Sequence, residues 1–375
     1  MTSAAVGLLS TYPPTQCGLA TFSAALREHL HQTPRDVGVV RVVADHSTFS
    51  GGEVVAHLVN GSTASAAQAI EQLNHFDVVV VQHEYGIYGG PDGVDVLDIV
   101  EALTVPTVVV FHTVLEEPTP HQRHILRRLL DLAHVAVTMT KTARQRILRD
   151  YGADPTSVVV IPHGAVDHLG LVPADRSDAR PLIITWGLLG PGKGIEWAID
   201  AMPGLRDLSP RYLVVGRTHP KVAERSGESY RDGLRQRVAE LGVGDLVEFH
   251  DAYLGVEELA HLVASADVVL LPYDSREQVT SGVLIEAVAA GRPVVSTAFP
   301  HAVELLIGGA GLVVPRQDPQ ALEAALRRVL SEPGLAESMA AHAARSAPAL
   351  VWSTVADQYG RMADDLVAAA LAAVS

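Results

Sequence analysis

Short apolar runs rich in valine, each followed by a polar turn and a segment of helical spacing, recur along the whole chain. Val6 to Leu9, Val39 to Val43, Glu53 to Leu58, Asp77 to Gln82, Thr107 to Phe111, Val135 to Met139 and Val158 to Ile161 have strand length. So do Leu182 to Trp186, Tyr212 to Val215, Val247 to His250, Val268 to Leu271, Pro293 to Thr297 and Gly311 to Val314. Runs that are apolar throughout, rather than alternating, belong to strands covered on both faces. Helical segments between them supply the covers. The pattern therefore predicts an α/β fold with doubly wound parallel sheets. From Ala165 to Arg180 the periodicity stops and Asp, Pro, Ser and Gly take over. This divides the chain into a first domain over residues 1–165, a linker over 166–180 and a second domain over 181–350. An Ala-rich amphipathic helix, about 351–375, is long enough to cross back to the first domain.

Composition narrows the function classes. At 375 residues, 48% of them hydrophobic, the chain has apolar material for two cores. A net charge of −15 argues against a nucleic-acid binder, which would show a basic face. Small anions are another matter, since a few local cations and helix ends suffice to bind a diphosphate. The single cysteine, Cys17, excludes an intrachain disulfide and a thiolate metal cluster and fits a cytoplasmic setting. No apolar run reaches the length of about 18 residues that a membrane span requires. A peripheral membrane contact stays compatible with the sequence.

The densest signal lies between Pro272 and Thr297. A buried strand stops at Pro272, a polar loop follows, and Thr280-Ser281-Gly282-Val283 opens an apolar-periodic helix that Gly291 and Pro293 close. Strand, loop, helix and strand make a βαβ unit whose loop falls where open α/β sheets bind ligands. Its helix start offers free N–H groups and a positive dipole end to a phosphate. Gln278 and Glu286 flank that start.

Four further places carry polar groups at predicted strand ends. Gly18 follows the first strand and its Pro13-Pro14 turn, serving either a tight turn or the close approach of a ligand. His83, Glu84, Tyr85 and Tyr88 cluster with three glycines after the strand ending at Gln82, a set able to bind a hydroxylated ligand or to form a solvated turn. His112 stands just past Phe111. In the second half, Gly187 to Gly194 is a Gly-rich turn containing Lys193, a plausible phosphate cradle. It is not a P-loop, because Gly194 stands where Ser or Thr is needed. Arg217, after the next strand, is either a second anion contact or part of a solvated turn.

These residues, in this order, resemble the retaining GT-B glycosyltransferases of glycosyltransferase family 4, also called group 1. The resemblance rests on the Pro-Pro and Gly18 loop, Pro162-His163-Gly164, Lys193-Gly194, the stretch LIEAVAAGRPVVST, Ala310 to Val314 and the Trp352 helix. It implies two Rossmann-like domains facing across a cleft, a nucleotide-sugar donor on the second and a hydroxyl acceptor on the first. The family's loop and helix carry a Glu-x7-Glu pair, the first contacting the donor sugar and the second the ribose. Here the second is Glu286 and the first position is Gln278, which can bond hydroxyls but adds no charge. The family's Lys on the pyrophosphate matches Lys193. Its Arg falls on Leu188, which leaves Arg217 as a substitute. His112 matches a His near the reacting sugar.

The expected function is thus metal-independent transfer of a hexose, from GDP-mannose or UDP-glucose, to a carbohydrate or other hydroxyl acceptor, with retained anomeric configuration. His112, Lys193 and Gln278 form the expected catalytic set. Gly18, Gly187, Arg217, Thr280, Ser281, Gly282, Val283 and Glu286 bind donor, and His83, Glu84, Tyr85 and Tyr88 bind acceptor. No metal ligand set and no cofactor beyond the nucleotide-sugar co-substrate is expected. The same fold could instead serve a nucleotide-sugar epimerase, a sugar phosphorylase or a non-catalytic nucleotide-sugar binder.

Overall fold

The computed structural model describes residues 3–33, 35–45, 51–168, 171 and 178–374. The chain divides into two compact units, Met1–Gly164 with Trp352–Ser375, and Ala165–Val351. Of the expected linker, residues 169, 170 and 172–177 lie outside the described residues.

The first unit holds seven strands: β1 (Val6–Ser10), β2 (Val37–Val43), β3 (Val54–Val59), β4 (Val78–His83), β5 (Thr107–Phe111), β6 (Val135–Thr138) and β7 (Val158–Val160). They run parallel in the order β3-β2-β1-β4-β5-β6-β7. The order reverses direction at β1 and β4, the switch point at which such sheets place ligands. Val6, Leu8, Val78, Val80, Val108 and Val110 share one apolar cluster with Phe22, Leu26, Val355 and Tyr359. The cover on that face is helix Gly18–Gln32 together with the terminal helix Trp352–Val374. Phe22 meets Trp352 edge to face with ring centroids 4.9 Å apart, a geometry favoured by the ring quadrupoles. The buried Arg35 guanidinium bonds Asp364 at 2.9 and 3.0 Å and the carbonyls of Ala4 and Gly360.

The second unit holds six strands: β8 (Leu182–Trp186), β9 (Arg211–Val215), β10 (Val247–His250), β11 (Val268–Leu271), β12 (Val294–Thr297) and β13 (Gly311–Val314). All are parallel, in the order β10-β9-β8-β11-β12-β13. Alternate residues feed two cores. Leu182, Ile184 and Trp186 pack with Leu284, Ile285 and Val288 on one face, while Ile183 packs with Tyr212, Ile199 and Leu326 on the other. This is why the strands read as continuous apolar runs. Here the switch point lies between β8 and β11, directly before the Gly-rich turn and the Gln278 loop.

Candidate functional site

Each unit presents a polar cluster at the C-terminal ends of its strands. In the second unit the Gly-rich turn after β8 is pinned on two sides. Gly187 N–H donates to Val215 O at 3.0 Å and Leu189 N–H to Arg217 O at 2.8 Å, tying it to β9. Asp274 N–H donates to Gly192 O at 3.0 Å, tying it to the loop after β11. Gly194 is left-handed (φ +62°), and a side chain there would collide with Pro272 O. Only glycine lets the turn close this tightly. A Cβ at Gly187 would sit 3.9 Å from Val283, so the turn and the start of helix Gly282–Ala289 are neighbours.

Lys193 places its Nζ 4.3 Å from the centroid of the Tyr273 ring, which is itself buried and stacked on Phe299 at 5.4 Å. Burial draws the Lys193 ammonium down to about 8, and the ring face compensates part of the lost hydration. The next helix start is organised by Ser281, whose Oγ accepts from Leu284 N–H at 3.3 Å and whose own N–H donates to His301 Nδ1 at 2.8 Å. Gly282 and Val283 N–H have no partner among the described residues, and the enclosed Thr280 hydroxyl likewise has none. Arg217 is exposed at the end of β9 and makes no ion pair among the described residues. Two unspent amides, a hydroxyl, a half-buried ammonium and a guanidinium form a set suited to an anion.

Glu286 is already occupied. Its two carboxylate oxygens accept from Val166 N–H at 3.3 and 3.2 Å, and His168 Nε2 lies 3.5 Å from Oε2. The residue expected on a ribose therefore also fastens the start of the second unit to its helix. Gln278 accepts from His301 N–H through its carbonyl at 3.3 Å and donates its own N–H to Ser275 Oγ at 3.1 Å. Its side-chain amide has no partner among the described residues, so it is available to a ligand hydroxyl.

In the first unit, His112 Nε2 lies 2.7 Å from Gln82 Oε1. A carbonyl oxygen only accepts, so Nε2 carries the hydrogen and Nδ1 is left as an acceptor. Burial, with His163 and His83 nearby, lowers His112 to about 3; burial alone does the same for His83. Both imidazoles are neutral. Glu84 accepts a short hydrogen bond from Thr113 Oγ1, and Tyr85 donates to Gln122 O at 3.3 Å. Gly18 is exposed at the start of its helix, with open space where a side chain would point.

Two of the acceptor expectations need correction. Tyr88 is buried, and its hydroxyl reaches Gln82 O at 2.7 Å and Leu9 O at 3.4 Å. It braces the turn from inside and offers nothing to a ligand. His83 is 1% exposed, its ring enclosed by Tyr85 and Phe111 at 4.9 and 5.5 Å. A direct acceptor contact is closed to it, although neither ring nitrogen has a hydrogen-bond partner. Glu84 and Tyr85 remain partly exposed.

Sequence reasoning missed Gln82, Tyr273 and His301. Gln82 was legible as the one polar residue ending a run of valines. Tyr273 and His301 reach the site only through tertiary packing, and nothing in their neighbours' spacing marks them.

Comparison with known proteins finds matches in both halves of the chain. Residues 19–167 match the family model described as Glycosyltransferase Family 4, and residues 180–332 match Glycosyl transferases group 1. A D-inositol 3-phosphate glycosyltransferase of Streptomyces griseus is 30% identical over 67% of this chain and 60% of its own length. One from Geodermatophilus obscurus is 29% identical over 82% of this chain and 71% of its own. The chain thus spans about 60% of the length of the Streptomyces griseus relative. Among solved structures, the Anabaena protein Alr3699/HepE in complex with UDP superposes with a TM-score of 0.75 at 17% identity, covering 96% of this chain and 100% of that one. A glycosyltransferase of Rickettsia africae gives 0.76 at 15% identity over 97% and 99%. With both halves matched and the two-sheet GT-B fold shared, the chain belongs to the group 1, family 4 glycosyltransferases.

Proposed function

We propose that this protein transfers a hexose from a nucleotide sugar to a hydroxyl acceptor, with retention at the anomeric carbon and without a metal ion. The observation that carries the reading is the adjacency, within the second unit, of the Lys193 turn and the open amides of Gly282 and Val283, with Arg217 on the connection whose backbone is hydrogen-bonded to that turn. Breaking the bond between the anomeric carbon and the donor phosphate leaves negative charge on a nucleoside diphosphate. Fixed donors and cations stabilise that charge without reorganisation. Glu286 then takes the ribose by exchanging its hold on Val166, and the free amide of Gln278 bonds sugar hydroxyls.

The first unit supplies the acceptor side. His112, neutral and with Nδ1 open, accepts from a sugar or acceptor hydroxyl. The acceptor oxygen attacks the anomeric carbon from the face the diphosphate leaves, and its proton passes to a phosphate oxygen of that leaving group. The Anabaena structures with UDP and with UDP-glucose support a uridine nucleotide as one donor, and GDP-mannose is the other. The inositol-phosphate glycosyltransferase relatives make a cyclitol phosphate the first acceptor to try.

The test is nucleotide release from a panel of UDP- and GDP-hexoses, with and without acceptors. Acceptor-dependent release from one donor supports transfer. Release of free epimerised donor, or turnover only with inorganic phosphate, would move the protein to the epimerase or phosphorylase reading.

A further inference from the structure

Along β4, Val78, Val79, Val80 and Val81 run straight into Gln82, and all five are buried. Side chains alternate along a strand, so Gln82 continues the face of Val78 and Val80, which pack among Phe22, Leu26 and Val355. Packing alone asks for one more valine there. A buried amide on an apolar face needs hydrogen bonds, yet Gln82 Nε2 has no partner among the described residues. The bond its side chain does make goes to His112, just past the end of the neighbouring strand β5, whose Nε2 lies 2.7 Å from Gln82 Oε1.

Two restraints thus act on the His112 ring. Phe22 meets it edge to face, with centroids 4.9 Å apart and planes at 82°, which fixes the ring plane. That contact does not tell a nitrogen from a carbon, since a ring turned over would fill the same space. A hydrogen-bond partner does, and the bond at one nitrogen sets the role of the other. The main chain beneath both residues is held as well: His112 N–H donates to His83 O at 3.1 Å, and the Tyr88 hydroxyl donates to Gln82 O at 2.7 Å. We propose that Gln82 is a positioning residue for the transfer reaction, which accepts from His112 Nε2–H, keeps the imidazole in that tautomer and so presents Nδ1 as an acceptor to a substrate hydroxyl. An amide does this without charge. A carboxylate in its place would favour the imidazolium, which has no acceptor left. The catalytic consequence rests on the role given to His112 above; the tautomer itself does not.

Nitrogen NMR of protein carrying isotope-labelled histidine reads the tautomer directly, with the His112 signals identified by their loss in His112→Phe. The expected result is neutral Nε2–H in the wild type and a mixture with Nδ1–H in Gln82→Leu, which keeps the size and removes the acceptor. Gln82→Glu keeps an accepting oxygen, so Nε2–H stays, but the imidazolium forms at higher pH than in the wild type. The other groups around His112 are His83, His163, the Phe22 ring and Glu84, which is bonded to the adjoining Thr113, and they are the same in all three proteins. In transfer assays kcat/KM should fall about tenfold or more in Gln82→Leu. Gln82→Glu should recover activity at high pH and lose it on an acid limb displaced upward from that of the wild type. A merely structural role would lower the thermal melt of the variants and leave tautomer and acid limb where they are. Nδ1–H in the wild type, an unchanged tautomer in Gln82→Leu, or a changed tautomer with undiminished kcat/KM overturns the proposal. If the melt shows Gln82→Leu unfolded, the wild-type tautomer and the acid limb of Gln82→Glu decide. Absence of transfer from any donor would remove the proposed function and leave the tautomer lock to the NMR result alone.

Discussion

The strand ends of the two units carry polar groups of opposite character. After β8, β9 and β11, the second unit leaves charge and amides unspent: Lys193 on an aromatic face, Arg217 in solvent, Gly282 and Val283 N–H open among the described residues. After β4 and β5, the first unit gathers His83, Gln82, His112 and Tyr88 into an enclosed set with both imidazoles held neutral. The same parallel architecture thus leaves cations and open amides at one set of strand ends, and neutral imidazoles beside the Glu84 carboxylate at the other. Fold alone does not set the chemistry. The residues at the strand ends do, which is the division of labour a transfer between a charged donor and a neutral hydroxyl needs.

Substitutions can break that contrast. Removing the ammonium by Lys193→Ala should lower kcat/KM about 10²- to 10³-fold, as for loss of one preorganised donor to a developing anion. Steady-state kinetics check it, and near-wild-type turnover would remove Lys193 from the site. The same group predicts a pH effect. Lys193 is charged below about 8 and neutral above, so kcat/KM falls as pH rises through that value. Lys193→Arg, which stays charged, should move the fall to higher pH. Next in size, Glu286→Ala should raise the donor KM about tenfold, the loss of one partly buried charged hydrogen-bonding group. It should also increase hydrogen exchange at Val166, whose N–H it holds.

Acid sharpens the contrast from the other side. His83 and His112 titrate near 3 in the folded protein and near 6.5 when unfolded, so the unfolded chain binds more protons between those values. Stability of the first unit is therefore full above about pH 6.5 and is lost as pH falls toward 3. Thermal melts of wild type and His83→Phe across this range test it; a shallower acid loss in the variant is expected, and parallel curves would contradict the assignment. At the small end, Tyr88→Phe should cost about 1 kcal/mol of stability with turnover unchanged, because its hydroxyl serves only the main chain. Gly18→Ala should change stability by less than about 0.5 kcal/mol, since its Cβ would enter open space. A drop in turnover there would show a ligand at the backbone.

Strands were the most legible part of the sequence. All thirteen apolar runs became strands, because doubly covered parallel strands need no polar face and so announce themselves. Val96–Glu101 and the short helices Pro220–Ser226 and Pro300–Leu306 were not anticipated, being too brief to show a helical period. At the site, Lys193 and the Ser281 cap were readable from glycine, lysine and small-residue placement. Tyr88 was misread because an aromatic in a Gly-rich turn looks the same whether its hydroxyl faces solvent or a buried carbonyl. Glu286 bonding to Val166 joins residues far apart in sequence, which no local pattern reveals.

The contrast between the two strand ends stands or falls on where nucleotide binds. Calorimetry of UDP and GDP on the wild-type protein, on Lys193→Ala and on His112→Ala tests it directly. The account predicts that at least one nucleotide binds the wild type, that Lys193→Ala weakens it at least about tenfold, and that His112→Ala leaves it unchanged. Undiminished binding to Lys193→Ala, or a loss in His112→Ala of equal size, would contradict it.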